Sequence, residues 1–164
     1  MVKTSLVEAD LIAGWRLLLR LYIPQKNRAL FRVKAAFWLY YPESEEWRLV
    51  IATPLVDEKG PLDTYSQLQE VLQRSLLEIQ PADLYLLNIA VISPSDPLVK
   101  AFRGAMRISE WSPYVRFTGS TLGGKYVEDA YVYRLPPSRD WSPERIRRVR
   151  GLNKPDGQRP QHET

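Results

Sequence analysis

The segment from Val33 to Pro54, VKAAFWLYYPESEEWRLVIATP, constrains the fold of this chain more than any other stretch. Two apolar runs rich in aromatic residues flank a short acidic break over residues 42–46. Runs of this composition around a polar break predict a β-hairpin with mostly buried strands and a solvated tip. Alternate side chains on both faces of the first strand are apolar, so we expect this strand inside the sheet, with other elements packed on each side.

Apolar periodicity elsewhere predicts the remaining elements. Helices are expected near residues 6–22, 63–77 and 97–107, and strands near residues 84–92, 114–118 and 126–135. Asp96 and Pro97 are the expected N-cap and first residue of the third helix. A turn-rich loop is expected over residues 57–61. The resulting order, α-β-β-α-β-α-β-β, favours an α+β domain with a mixed or antiparallel sheet of about five strands covered by about three helices.

Two of these patterns also assign faces. In the first helix the predicted buried stripe consists of the apolar residues that recur at helical spacing. Its members are Leu11, Trp15, Leu18, Leu19 and Tyr22. In the last strand, alternation groups Val127 with Tyr131 and Tyr133 on one face and places Glu128 on the other.

Length and charge bound the domain organisation. A chain of 164 residues with 45% hydrophobic content suffices for one self-contained core, which we expect over residues 1–135. Residues 136–164 are then a basic tail rich in Pro and Arg, either flexible or with one short helix. The tail contributes +3 of the net charge of +4. The nearly neutral body is therefore not typical of a dedicated nucleic-acid-binding domain.

The absence of cysteine excludes disulfides, thiolate metal sites and cysteine nucleophiles, and it suits a reducing cytosol. The longest apolar runs are too short to cross a bilayer as a helix. The first ten residues turn acidic before any long apolar region, unlike a secretory signal. The sequence therefore predicts a cytoplasmic, soluble protein without a membrane partner.

One segment matches most of a phosphate-binding loop. Residues 119–125, GSTLGGK, fit G-x-x-x-x-G-K, but Tyr126 stands where that motif needs the Ser or Thr that binds Mg²⁺. The motif also needs a helix next, whereas the residues that follow alternate like a strand. We therefore interpret the segment as a hairpin loop that uses its glycines for positive φ.

Acidic residues near the end of the predicted domain suggest the alternative of a metal-dependent hydrolase or nuclease. Glu128 and Asp129 beside Lys125 are the candidate catalytic residues. Consecutive strand residues point to opposite faces, so both carboxylates could bind one metal only at a bulge. No cofactor and no resident metal are predicted.

The tail holds the densest group of basic residues. Arg145, Arg147, Arg148 and Arg150 are candidates for contacting the phosphates of a nucleic acid, and Trp141 for stacking on a base. The alternative is a solvated tail. The single histidine, His162, lies too close to the chain end to be held as a catalytic base.

Aromatic residues form a second candidate surface between the first helix and the hairpin. Their number and spacing are compatible with a stacking pocket or protein-binding surface, or simply with core packing, which we favour. The residues are Trp15, Tyr22, Trp38, Tyr40, Tyr41 and Trp47.

The segments AAFWLYYPESEEWRLVIATPLVDEKGP and VEDAYVYRL resemble a group of uncharacterised bacterial proteins of similar length. The resemblance implies a stand-alone bacterial domain and supplies no activity. The sequence thus favours a non-catalytic binding or interaction module that contacts a partner protein, or weakly a nucleic acid through its tail. Pairing of two copies into a homodimer is also compatible with it.

Overall fold

The computed structural model describes residues 5–6, 8–22, 31–75, 88–105 and 114–133. Within these residues the chain forms three helices and five strands in the predicted order. The helices are α1 (Glu8–Tyr22), α2 (Leu55–Ser75) and α3 (Pro97–Ala105). The strands are β1 (Ala35–Tyr41), β2 (Glu46–Ala52), β3 (Ile89–Ile92), β4 (Tyr114–Leu122) and β5 (Lys125–Tyr133).

The five strands form one mixed sheet in the order β3-β2-β1-β5-β4. β1 lies at its centre and pairs antiparallel with β2 and β5, whereas β2 and β3 run parallel. The expected hairpin is confirmed: Tyr41 lies opposite Glu46, and residues 42–45 form an exposed turn. The α+β class and the interior position of the first hairpin strand are confirmed as well.

Both faces of the sheet are covered, because β1 and β2 are apolar on both sides. Ala36 and Trp38 belong to a core cluster with residues of α1 and α2. Phe37 and Leu39 belong to a second cluster, which includes residues of α3. We call the first side the α1–α2 face and the second the α3 face. Burial on both sides supplies the hydrophobic free energy that holds the three helices on the sheet.

The buried stripe of α1 differs in part from the one predicted. Leu11 and Leu18 are buried as expected, but Leu17 and Leu21 also belong to the core, while Leu19 is only partly buried. The stripe is therefore wider than the predicted spacing, as is usual for a helix that covers a sheet.

A phenol fastens α1 to the sheet. Trp38 Nε1 donates to the Tyr133 hydroxyl at 2.9 Å, and that hydroxyl donates to the Leu11 carbonyl at 2.5 Å. A Cβ on Gly14 would lie 2.5 Å from the Tyr133 hydroxyl oxygen, so glycine permits the close approach. Burial raises the pKa of Tyr133 well above its ordinary value.

The expected loop over residues 57–61 is wrong, because α2 begins at Leu55. The Thr53 hydroxyl accepts the Leu55 amide hydrogen at 3.3 Å and thereby caps the first turn. Gly60, with φ 82° and ψ 167°, kinks the helix just before Pro61. The Gly-Pro pair marks a kink between two helical segments and not a loop.

The hairpin of β4 and β5 bends midway along its length. Val127 and Ala130 are three residues apart, yet both belong to the cluster on the α3 face. Strict alternation would separate them. The interruption lies at Gly119, whose φ is 56°, and at Glu128 opposite it. The expected grouping of Val127 with Tyr131 is therefore wrong.

Candidate functional site

Four aromatic rings form a continuous chain of contacts on the α1–α2 face of the sheet. Tyr40 and Trp47 lie opposite each other in the first hairpin, with ring centroids 5.4 Å apart. Trp47 lies 5.7 Å from Tyr131 on β5, and Tyr131 lies 5.6 Å from Tyr114 on β4 with its ring edge-on. Tilted and edge-on rings at these separations attract one another beyond their burial.

An arginine extends this chain of rings. The Arg116 guanidinium carbon lies 5.1 Å from the centre of the Tyr131 ring, within the range of a cation–π interaction. Tyr131 is the residue opposite Arg116 in the β4–β5 register. We call the five residues Tyr40, Trp47, Tyr114, Arg116 and Tyr131 the aromatic–arginine surface.

A buried carboxylate fixes the arginine in place. Asp129 accepts hydrogen bonds from Arg116 Nε at 3.1 Å and from Nη2 at 2.9 Å. The Asp129 side chain is only 2% exposed, whereas that of Arg116 is 52% exposed. Two parallel bonds to a planar carboxylate restrict the guanidinium to one orientation.

The pair has a clear electrostatic consequence. The hydrogen bond that Arg116 donates to Asp129 raises the pKa of the guanidinium above its ordinary value. Within the described residues Arg116 bonds through Nε and Nη2, and Nη1 keeps two donors for a binding partner. The geometry therefore presents a fixed hydrogen-bond donor beside half-buried rings.

A second cation–tyrosine arrangement lies on the α3 face. Arg48 lies 5.1 Å and Lys125 Nζ 5.9 Å from the centre of the Tyr41 ring. Arg48 donates one bond, at 3.2 Å, to Glu46, whose side chain is 56% exposed. The Arg48 Nε is buried and has no hydrogen-bond partner among the described residues. Burial raises the pKa of Tyr41, while Arg48 lowers it.

Negative charge borders the aromatic–arginine surface at the hairpin tip. Glu43, Glu45 and Glu46 are all exposed. Glu46 lies opposite Tyr41 and bonds Arg48 on the α3 face, whereas Glu43 and Glu45 belong to the turn that leads into β2 and adjoin the Trp47 end of the surface. The surface thus combines one fixed cation with the two carboxylates of the hairpin turn.

The candidate catalytic residues are divided between the two sides of the sheet. Asp129 pairs with Arg116 beside Tyr131 on the α1–α2 face, whereas Lys125 lies over Tyr41 on the α3 face. Glu128 is partly buried at the bend between them. Among the described residues, no group of three or more His, Cys, Asp or Glu side chains could hold a metal ion.

The segment that resembles a phosphate-binding loop is part of the second hairpin. Leu122 pairs with Lys125 around the two-residue turn Gly123-Gly124, with φ of 58° and 76°. Two positive φ angles are typical of a type I′ hairpin turn. The hairpin is confirmed, since β5 and not a helix follows the turn, but the expected loop over residues 119–125 is too long because residues 119–122 belong to β4 and Lys125 to β5.

The remaining candidates are only partly within the described residues. Trp141 and the four tail arginines lie outside them, so nucleic-acid contact through the tail stays a prediction. Of the aromatic candidates, Trp38 and Tyr40 are buried, Trp47 is half-buried, and the Tyr41 ring belongs to the opposite face. Tyr114, Arg116 and Tyr131 complete the surface and were not among the predicted site residues.

The described residues contain no helix long and apolar enough to cross a membrane. No protein-family model matches the chain, and searches of the curated proteins and of the solved structures found no match to it either.

Proposed function

We propose that this chain is a non-catalytic, cytoplasmic protein-interaction module whose partner binds the aromatic–arginine surface. The observation that carries the proposal is the half-exposed Arg116, which the buried Asp129 holds over the Tyr131 ring. Holding a long cationic side chain in advance removes much of the entropy cost that its ordering would add to binding.

The composition of the surface supports a protein partner. Residues that dominate binding energy at protein interfaces are enriched in Trp, Tyr and Arg. Here Trp47, Tyr114 and Tyr131 are half-buried, so each ring is already supported from below and needs little ordering on contact.

The charges nearby favour a protein over a nucleic acid at this surface. The exposed glutamates of the hairpin turn, Glu43 and Glu45, repel phosphates, whose neutralisation supplies most nucleic-acid affinity. A polypeptide partner can match both the rings with their arginine and the nearby glutamates. An apolar side chain packs on the rings, a carboxylate or carbonyl accepts from Arg116 Nη1, and a basic residue meets the glutamates.

Photo-crosslinking tests the proposal directly. Benzoylphenylalanine replaces Tyr114, an aromatic residue at the border of the surface, and the cells that express the protein are irradiated. We expect one discrete adduct with another protein. The same probe at Arg103, which is exposed on α3, serves as the control site and should not give that adduct.

A charge-preserving substitution then tests the role of the arginine. Arg116→Lys keeps a cation for Asp129 but removes the planar fork and its Nη1 donors. With the captured protein purified, we expect Arg116→Lys to weaken binding at least about tenfold, equivalent to about 1.4 kcal/mol. The matched control is Arg48→Lys, on the opposite face. Equal binding by both variants, or adducts that do not differ between the two probe positions, would contradict the proposal.

A further inference from the structure

The two edge strands of the sheet differ in how well they are protected from pairing with another strand. β3 has only four residues, and its Val91 amide donates to the Tyr65 hydroxyl of α2 at 3.2 Å. β4 has nine residues, and within the described part of the chain β5 is its only neighbouring strand. Residues 114–122 include neither Lys nor Pro, the residues that commonly block an exposed edge.

The hydrogen-bond pattern defines which residues of β4 point away from the sheet. The Thr53 amide donates to the Ile92 carbonyl, and the Ala52 carbonyl accepts from the Lys34 amide. The amides and carbonyls of odd-numbered residues at this end of β2 therefore point to β3, and those of even-numbered residues point to β1. These directions alternate from residue to residue along every strand. The strand registers therefore give the direction of each backbone group in β1, β5 and β4 as well.

The amides and carbonyls of Val115 and Phe117 consequently point to β5, whereas those of Arg116 and Thr118 point outward. The Thr118 carbonyl accepts the Ser120 hydroxyl at 3.1 Å, which leaves its second lone pair for another donor. Outward groups of this kind match those of an identical strand placed antiparallel to them.

The side chains of the edge suit a second copy. Phe117 is half-buried, lies 5.3 Å from Phe102, and extends the apolar cluster on the α3 face to the edge of the sheet. The one charge of β4, on Arg116, is balanced by Asp129 of the same chain. Pairing therefore adds apolar contact and does not bring an uncompensated charge to the edge.

We propose that two copies of this chain pair antiparallel through β4, about a two-fold axis at Phe117, and form one continuous sheet. In this register Arg116 of each copy lies opposite Thr118 of the other, and their outward groups exchange hydrogen bonds. An axis at Arg116 would instead oppose two guanidinium groups, which is unfavourable. The dimer joins the two aromatic–arginine surfaces along one face, and it does not depend on the identity of their partner.

The absence of cysteine allows a direct test. The two Phe117 residues form a non-hydrogen-bonded pair with Cα atoms about 4.5 Å apart, within reach of a disulfide. We expect Phe117→Cys to form a covalent dimer under mild oxidation. Val115→Cys is the matched control on the same strand. Its two copies lie about 14 Å apart along the strands, so it should stay unlinked.

A second measurement does not depend on Phe117, whose loss could disturb packing on Phe102. Sedimentation of the natural chain should show a dimer that dissociates on dilution. Thr118→Pro removes an outward donor that β5 does not use, so the variant should fold with an unchanged circular dichroism spectrum. We expect its dimer dissociation constant to rise at least about tenfold. A natural chain that stays monomeric, or equal crosslinking of both cysteine variants, would overturn the proposal.

Discussion

Two arginines in this molecule lie over tyrosine rings at the same distance, yet only one is held in place. Arg116 and Arg48 are each 5.1 Å from the ring centre of Tyr131 and Tyr41, respectively. Arg116 makes two bonds to a carboxylate that is 2% exposed, whereas Arg48 makes one longer bond to a carboxylate that is 56% exposed. The difference between the two sites lies in the carboxylate and not in the ring.

Burial of the acid explains why the arrangements differ. When a buried carboxylate loses its cation, no water takes the place of that cation. Separating such a pair therefore costs a large free energy. An exposed pair exchanges its bond for water at almost no cost and is screened by salt. The contrast teaches that the position of an arginine on a protein surface is decided by what lies beneath it.

Removal of each arginine should show the largest difference. We expect Arg116→Ala to lower the free energy of unfolding by about 3 kcal/mol, because it leaves Asp129 buried without its bidentate partner. Arg48→Ala should lower it by no more than about 0.5 kcal/mol. Urea denaturation followed by circular dichroism measures both.

The buried and unbonded Nε of Arg48 strengthens this expectation, since truncation removes an unsatisfied donor. Equal losses for the two variants would show that burial of the carboxylate does not distinguish the sites. The equal contributions of the two arginines would then be attributed to the tyrosine ring that each one contacts.

Neutralising the acids should give a smaller effect of the same kind. Asp129→Asn keeps the shape of the side chain but removes the charge, and we expect a loss of about 1–2 kcal/mol. Glu46→Gln should stay within about 0.5 kcal/mol. Unfolding in about 1 M salt should abolish the small Glu46 effect and leave most of the Asp129 effect, since burial limits screening. A salt-sensitive Asp129 effect would contradict the argument that burial of this carboxylate protects the pair from screening.

Whether a contact in this fold can be predicted from the sequence depends on how far apart the two contacting residues lie along the chain. The hairpin of β1 and β2 was predictable, since its apolar strands and acidic tip lie in one continuous stretch. The start of α2 was not, because Gly60 and Pro61 have the composition of a loop and the Thr53 hydroxyl that caps the helix is held by the Phe31 carbonyl, 22 residues away in the sequence.

The Arg116–Asp129 pair could have been found from a local signal. A two-residue turn at Gly123-Gly124 sets the register of β4 and β5 and brings Thr118 opposite Asp129. Arg116, two residues from Thr118, is then diagonal to Asp129 and within reach of its carboxylate. The turn was predicted, but Asp129 was predicted only as a catalytic, metal-binding residue and not as the partner of an arginine.

The faces beyond the bend were not predictable in this way. Alternation assigns Val127 to the face of Tyr131, but the ladder is interrupted at Gly119 and the facing Glu128, and Val127 joins the α3 face. A glycine within a strand indicates a bend without specifying its direction, which depends on how the hairpin packs over α3.

The smallest expected effect concerns the tyrosine beneath the weakly held arginine. Burial raises the pKa of Tyr41 above about 10 in spite of the opposing effect of Arg48. The folded state therefore holds the phenol proton more tightly than the unfolded state. This contribution to stability is complete below the ordinary pKa and is lost as pH rises through the raised one.

We expect Tyr41→Phe to leave the free energy of unfolding almost unchanged at neutral pH and to reduce its decline above pH 10. Tyr133 shifts in the same direction, so part of the decline should remain. An undiminished alkaline slope in Tyr41→Phe, measured by urea denaturation across that range, would show that Arg48 determines the titration of this ring after all.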